Sequence, residues 1–205
     1  PGGGPDNVLV HGGQGTAEEL REVLGLSPVT ADTVLSCSEY PCVYRPPKET
    51  MPGKPKIMTV YGTRPEAIKV APVVSALQDD DRFESVVVST GQHREMLEQV
   101  NKRFGIIPDH DMALMKPGQT LNELVSRAVQ GLDPIIEKER PDVIISQGDT
   151  STAMVAALAG FHQGVKIVHL EAGLRTGNIF SPFPEEANRK IIGQIASLHL
   201  APTNE

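Results

Sequence analysis

From Lys56 onward, short apolar runs alternate with amphipathic stretches, and that alternation constrains the fold more than any other feature. The runs are KIMTVYG (56–62), ESVVVST (84–90), DVIISQGD (142–149) and KIVHLEAG (166–173), all rich in β-branched residues. Between and after them come EAIKVAPVVSALQ (66–78), HREMLEQVNKRFG (93–105), TLNELVSRAVQGLDPIIEKE (120–139), TAMVAALAGFHQ (152–163) and EEANRKIIGQIAS (185–197), each with helical spacing of its apolar residues. Strands that are apolar on both faces and separated by helices predict an α/β fold: a parallel sheet with helices on both faces. In such sheets ligands bind beyond the carboxyl ends of the strands, so the residues that follow each run are the ones to read for chemistry.

Residues 1–55 read differently. They hold PGGGP, HGGQG and YRPPKETMPGKP, and the segment TAEELREVLGL predicts a helix capped by Thr16 with Glu19 three residues later. NVLVHGGQGT has the glycines of a phosphate loop but no Lys-Ser/Thr, and it reads as a Gly-rich turn before that helix. This division predicts an N-terminal extension over 1–55 and a domain over 56–205. The start PGGGPDNVLVHGGQG has neither the cationic beginning nor the apolar core of a secretory leader, and two cysteines, Cys37 and Cys42, make no disulfide framework. The expectation is a reduced, cytoplasmic protein. No run nears the roughly 18 apolar residues of a membrane span. Acidic side chains outnumber basic ones by 26 to 19, which disfavours nucleic acid or a membrane surface as partner.

The strand ends carry charge. After the first run comes GTRPEAIK, with Pro65 suited to a first helical turn and Arg64 at the helix mouth. A helix N-terminus already favours anions; Arg64 adds a bidentate donor, and Lys69 lies one turn beyond Pro65. The site predicted there takes a phosphate or diphosphate. After the second run come Gln92, His93 and Arg94. After DVIISQ, Gly148 permits a tight turn and Asp149 is expected both to cap the next helix and to face the cleft. Glu171 closes the KIVHL run, Arg175 follows, and Glu185 and Glu186 open a helix after a Pro-rich loop. Acidic residues in a first turn are favoured by the helix dipole, so one of these two needs no further role. Carboxylates gathered in one cleft raise each other's pKa and become usable as general acid and base. The six histidines are scattered without metal-ligand spacing, and no GxSxG occurs, so neither a metal centre nor a serine hydrolase is expected.

GTRPEAIK, TGQHREML, QGDTSTA, HLEAGLRTG and SPFPEEANR, in this order and spacing, resemble the non-hydrolysing UDP-N-acetylglucosamine 2-epimerases. The resemblance covers the chain from about Lys56, roughly three-quarters of its length. It implies the first half of a glycosyltransferase-B-like architecture of two Rossmann-like domains with the active site between them. It implies interconversion of UDP-N-acetylglucosamine and UDP-N-acetylmannosamine by removal of the C2 proton, expulsion of UDP and re-addition. Carried over residue by residue, Arg64 and Lys69 would hold the diphosphate, and Asp149, Glu171 and Glu185 would move the C2 proton. Arg175 and Arg189 would support that cluster. Gln92, His93, Arg94 and Gln119 match the region where bacterial members bind an activating second UDP-N-acetylglucosamine. No organic cofactor or metal is implied, and a homodimer is. The family's second domain, with its uracil and ribose site, is expected to lie outside this sequence, so the 205 residues would form half a cleft. Residues 1–55 have no counterpart in the resemblance, and their removal is expected to leave the chemistry intact. The alternatives are a nucleotide-sugar-binding or regulatory module, a hydrolysing epimerase that releases free N-acetylmannosamine, and a glycosyltransferase of the same architecture.

Overall fold

The computed structural model describes residues 7–10, 13–16, 53–91 and 94–202. The chain divides into two compact units, Pro1–Val43 and Tyr44–Glu205. In the first, β1 (Asn7–Val10) and β2 (Gly13–Thr16) pair antiparallel, with Asn7 opposite Thr16 and Val10 opposite Gly13. This corrects the sequence expectation of a Gly-rich turn over these residues: Gly13–Thr16 is a strand. The extended backbone of four such residues needs only a paired neighbour, which β1 supplies. Glu19 and the rest of the expected capped helix lie outside the described residues.

The second unit is a six-stranded parallel sheet. Its strands are β3 (Lys56–Tyr61), β4 (Glu84–Ser89), β5 (His110–Asp111), β6 (Val143–Gln147), β7 (Lys166–Leu170) and β8 (Leu198–Leu200). They lie in the order β5-β4-β3-β6-β7-β8. The helices are α1 (Arg64–Gln78), α2 (Arg94–Phe104), α3 (Leu121–Glu139), α4 (Ser151–His162) and α5 (Glu185–Ile195). The four long strands and all five helices match the sequence reading within a few residues. β5 and β8 were not expected; each pairs on one side only, with β4 and β7.

Alternation along the strands sorts the core into two layers. Met58, Val60, Val86, Val88 and Ile144 face Leu124, Ala128, Leu132 and Ile136 of α3, Ala153, Val155, Ala156, Ala157 and Ala159 of α4, and Ile192 of α5. Tyr61 and Val87 face Ala67, Val70 and Val74 of α1 and Leu97 and Val100 of α2. Each fully buried Val, Leu or Ile contributes about 1.5–3 kcal/mol, and both faces of the sheet are covered, which is what near-continuous apolar strands require. The sequential strands run outward from β3 in one direction to β5, then restart on its other side with β6. The β3/β6 boundary is therefore the topological switch point, the place where the loops at the carboxyl ends part and leave a crevice.

Candidate active site

The two loops bordering the switch point are built from interlocking caps. At the mouth of α1, Thr63 Oγ1 accepts from the Glu66 amide, and Glu66 Oε2 accepts from the amides of Gly62 (2.8 Å) and Thr63 (2.7 Å). This is a reciprocal capping box, which the sequence reading did not single out. Gly62 is required here: a Cβ at that position would lie 2.2 Å from Thr90 Oγ1 and 3.2 Å from the Thr152 side chain. Arg64, the first residue of α1, is exposed.

Beyond β6, Gly148 turns the chain with φ +71°. The helix cap that follows is not Asp149, as the sequence suggested, but Thr150, whose Oγ1 accepts from the Ala153 amide at 3.0 Å. The hydroxyl reaches the third amide from one residue closer, which releases the Asp149 carboxylate. That carboxylate is held by Arg189 of α5, through Nε at 2.7 Å and through Nη2, while Asn188 Nδ2 donates to the Asp149 carbonyl at 2.8 Å. The carbonyl of Gly148 accepts from the buried His169, whose Nε2 lies 2.7 Å away. Burial lowers the pKa of His169 below its ordinary value, so the ring serves as a neutral donor. His169, Asn188 and Arg189 thus hold the turn at three points.

Glu171 follows β7, next to this turn: a Cβ on Gly148 would lie 3.8 Å from Glu171 Oε2. That oxygen accepts from Lys69 Nζ at 2.6 Å and from Gln147 Nε2. Lys69 and Glu171 therefore meet across the switch point, the cation from α1 and the carboxylate from the end of β7. Lys69 keeps half of its side-chain surface exposed, so it remains open to a ligand.

The acidic pair at the start of α5 divides by burial and partners. Glu186 is 1% exposed, and its oxygens accept from the amides of Thr176 (3.1 Å) and Gly177 (3.3 Å). Those bonds, the Thr176 amide foremost, hold its pKa below the ordinary carboxylate value. Glu186 thereby fixes the loop before α5, and Glu185 is half-buried. Arg175 is exposed, donates to the Leu174 carbonyl at 2.8 Å, and lines a separate groove of about 360 Å³ with Lys190, Gln194 and His199.

Gln119 lies apart from the switch-point groups. It lines a groove of about 460 Å³ at the start of α3, and its Oε1 accepts from Arg127 Nη1 (3.0 Å) and the Lys116 amide (3.2 Å). Gln92 and His93 fall outside the described residues, as does the side chain of Arg94, which opens α2. Among the described residues, no group of three His, Cys, Asp or Glu side chains is placed to hold a metal, and no helix is long and apolar enough to cross a membrane.

The structure thus joins Lys69 to Glu171 and Asp149 to Arg189. It adds Glu66, Gln147, Thr150, His169 and Asn188, which the sequence reading did not single out. Two of these, Gln147 and His169, sit within two residues of a strand end, the same signal that found Asp149 and Glu171. Cations and carboxylates converging on one crevice can bind a diphosphate and move a proton beside it.

The family model for UDP-N-acetylglucosamine 2-epimerase matches residues 75–205. The UDP-N-acetylglucosamine 2-epimerase of Yersinia pestis is 55% identical over 148 residues, which cover 72% of this chain and 39% of that protein. The enzyme of the same name from Escherichia coli is 53% identical over the same shares of both chains. The crystal structure of the Neisseria meningitidis UDP-GlcNAc 2-epimerase bound to UDP-GlcNAc superposes with a TM-score of 0.70 at 47% identity, over 72% of this chain and 40% of that one. The chain spans about two-fifths of the length of the curated relatives it matches.

Proposed function

We propose that this chain, which belongs to the UDP-N-acetylglucosamine 2-epimerase family, supplies one wall of a site that interconverts UDP-N-acetylglucosamine and UDP-N-acetylmannosamine. The observation that carries the reading is the meeting of Lys69 with Glu171, and of Asp149 with Arg189, around one switch point. In the forward direction a carboxylate takes the C2 proton while the C1–O bond to UDP breaks, leaving a 2-acetamidoglucal and UDP. In the return the C1–O bond re-forms and the proton is delivered to the opposite face of C2. No net redox change occurs, and the hydrogen delivered to C2 comes from an acid in exchange with water.

Each group has a task in that sequence. Arg64 and Lys69 neutralise the departing diphosphate. Asp149, Glu171 and Glu185 share the removal and return of the C2 proton. Arg189 and Arg175 support this cluster, Arg189 by holding Asp149. Gln119, with Lys116 and Arg127 around it, suits an activating nucleotide sugar, together with Gln92, His93 and Arg94. The same reading includes a homodimer, a cytoplasmic location and a place in surface-polysaccharide synthesis. It assigns residues 56–205 as the N-terminal domain and leaves 1–55 as an extension without a role in the chemistry.

The test is product analysis with the full-length protein. UDP-N-acetylglucosamine is supplied alone and the products are separated by anion exchange. UDP-N-acetylmannosamine is expected. Free N-acetylmannosamine with UDP would assign the hydrolysing reaction instead, and tight binding of the nucleotide sugar without any product would make the protein a binding module.

A further inference from the structure

We propose that Glu66 is a positioning residue that clamps the cation-bearing mouth of α1 to the Asp149-bearing mouth of α4; the assignment rests on the epimerase reading above. Capping alone does not account for Glu66. Both capping amides, Gly62 and Thr63, bond to one oxygen, Oε2. The other oxygen, Oε1, accepts from Thr150 Oγ1 at 2.6 Å, from a residue 84 positions away.

The protein contains its own control for this argument. α3 begins with the same box, Thr120 and Glu123, and there Glu123 Oε2 accepts from the Thr120 amide at 2.6 Å. Glu123 is exposed, and its backbone bond to Thr120 holds its pKa below the ordinary value. Glu66 is 5% exposed, and burial raises its pKa against the pull of its hydrogen bonds. A helix start is thus capped elsewhere without burying a carboxylate. The burial at Glu66 is explained by its second bond.

That bond spans the switch point. On one side, Glu66 lies one helical turn from Lys69 and two residues from Arg64. On the other, Thr150 follows Asp149 directly and caps α4. The Glu66–Thr150 bond therefore fixes the separation between the groups that meet the diphosphate and the carboxylate that meets C2. Displacements of about 1 Å at such a separation can cost up to about a hundredfold in rate while binding persists.

A double-mutant cycle separates this role from capping. Glu66→Ala removes the α1 cap together with the bond to Thr150, whereas Glu66→Gln would only reverse that bond, because the Thr150 hydroxyl can also accept. Thr150→Val removes the α4 cap together with the same bond, and Thr150→Ser keeps both. In the full-length protein, Glu66→Ala and Thr150→Val are each expected to lower kcat at least about tenfold, and the double variant no more than about threefold further. KM and UDP affinity stay within about threefold of wild type, and Thr150→Ser keeps the wild-type kcat. Losses in kcat that simply multiply in the double variant, or Thr150→Ser no better than Thr150→Val, would overturn the clamp while leaving the epimerase reading intact. A wild-type protein that binds UDP and turns nothing over would overturn the epimerase reading and this assignment with it.

Discussion

Glu171 holds a backbone conformation that residues with a Cβ adopt reluctantly, φ +61°, and it does so beside the switch point. For a non-glycine residue that conformation costs about 1–2 kcal/mol, so its carboxylate is placed at the expense of stability. Glu171→Gly should therefore resist urea better than Glu171→Ala by about 1 kcal/mol, although both lose the carboxylate. Equal unfolding midpoints would remove the argument from strain. Asp149 is in the opposite situation, held by Arg189, Asn188 and the His169-bonded turn. Asp149→Asn keeps the shape of that turn and should lower activity at least about a hundredfold with the circular dichroism spectrum unchanged. A collapsed spectrum would make Asp149 a structural residue. Lys69, Asp149 and Glu171 were legible in the sequence because each follows a strand that the apolar pattern already located. The capping role was misplaced by one residue, since Asp and Thr are both good caps and only geometry shows which hydroxyl or carboxylate turns inward.

The helices and the long strands were legible for a plain reason: each is long enough for its periodicity to show. β5 and β8 were not. His110–Asp111 is two residues and Leu198–Leu200 is three exposed ones, too few to display a period, and their strand character comes from neighbours in the sheet. The start of α5 shows the same limit, because adjacent glutamates look alike until the loop before them is placed. Glu186 turned out to be the structural one, which leads to a pH prediction. Its folded pKa lies below its ordinary value of 4.5, so the stability it contributes is present above that pH and is lost as pH falls through the lowered value. Glu66 has the opposite sign: its raised pKa makes its contribution complete below 4.5 and lost as pH rises through the folded value. Thermal melts of Glu186→Gln should therefore show a flatter acid limb than wild type, and those of Glu66→Gln a steeper one. Identical limbs in all three proteins would refute the assignment of these two carboxylates.

The molecule as a whole makes sense of these details through one property of its topology. The strand order reverses at β3/β6, and the Lys69–Glu171 pair, the Asp149–Arg189 pair and the Glu66–Thr150 clamp all bear on the loops that border that reversal. The fold class could be read from the sequence, but the clamp could not, because its partners are 84 residues apart and nothing local marks them as neighbours. A binding prediction follows directly. Lys69→Ala should weaken UDP binding about tenfold by calorimetry, the loss of one charge-assisted contact of about 1.5 kcal/mol. Unchanged affinity would remove Lys69 from the diphosphate site. The most direct test of the central claim is proton NMR of UDP-N-acetylglucosamine in D2O with the full-length protein, wild type beside Asp149→Asn and Glu171→Gln. Loss of the C2 proton signal as the mannosamine isomer grows is expected in the wild type and in neither variant. A C2 proton that survives while the isomer forms would contradict it, because epimerisation would then proceed without the proton transfer for which these carboxylates are placed.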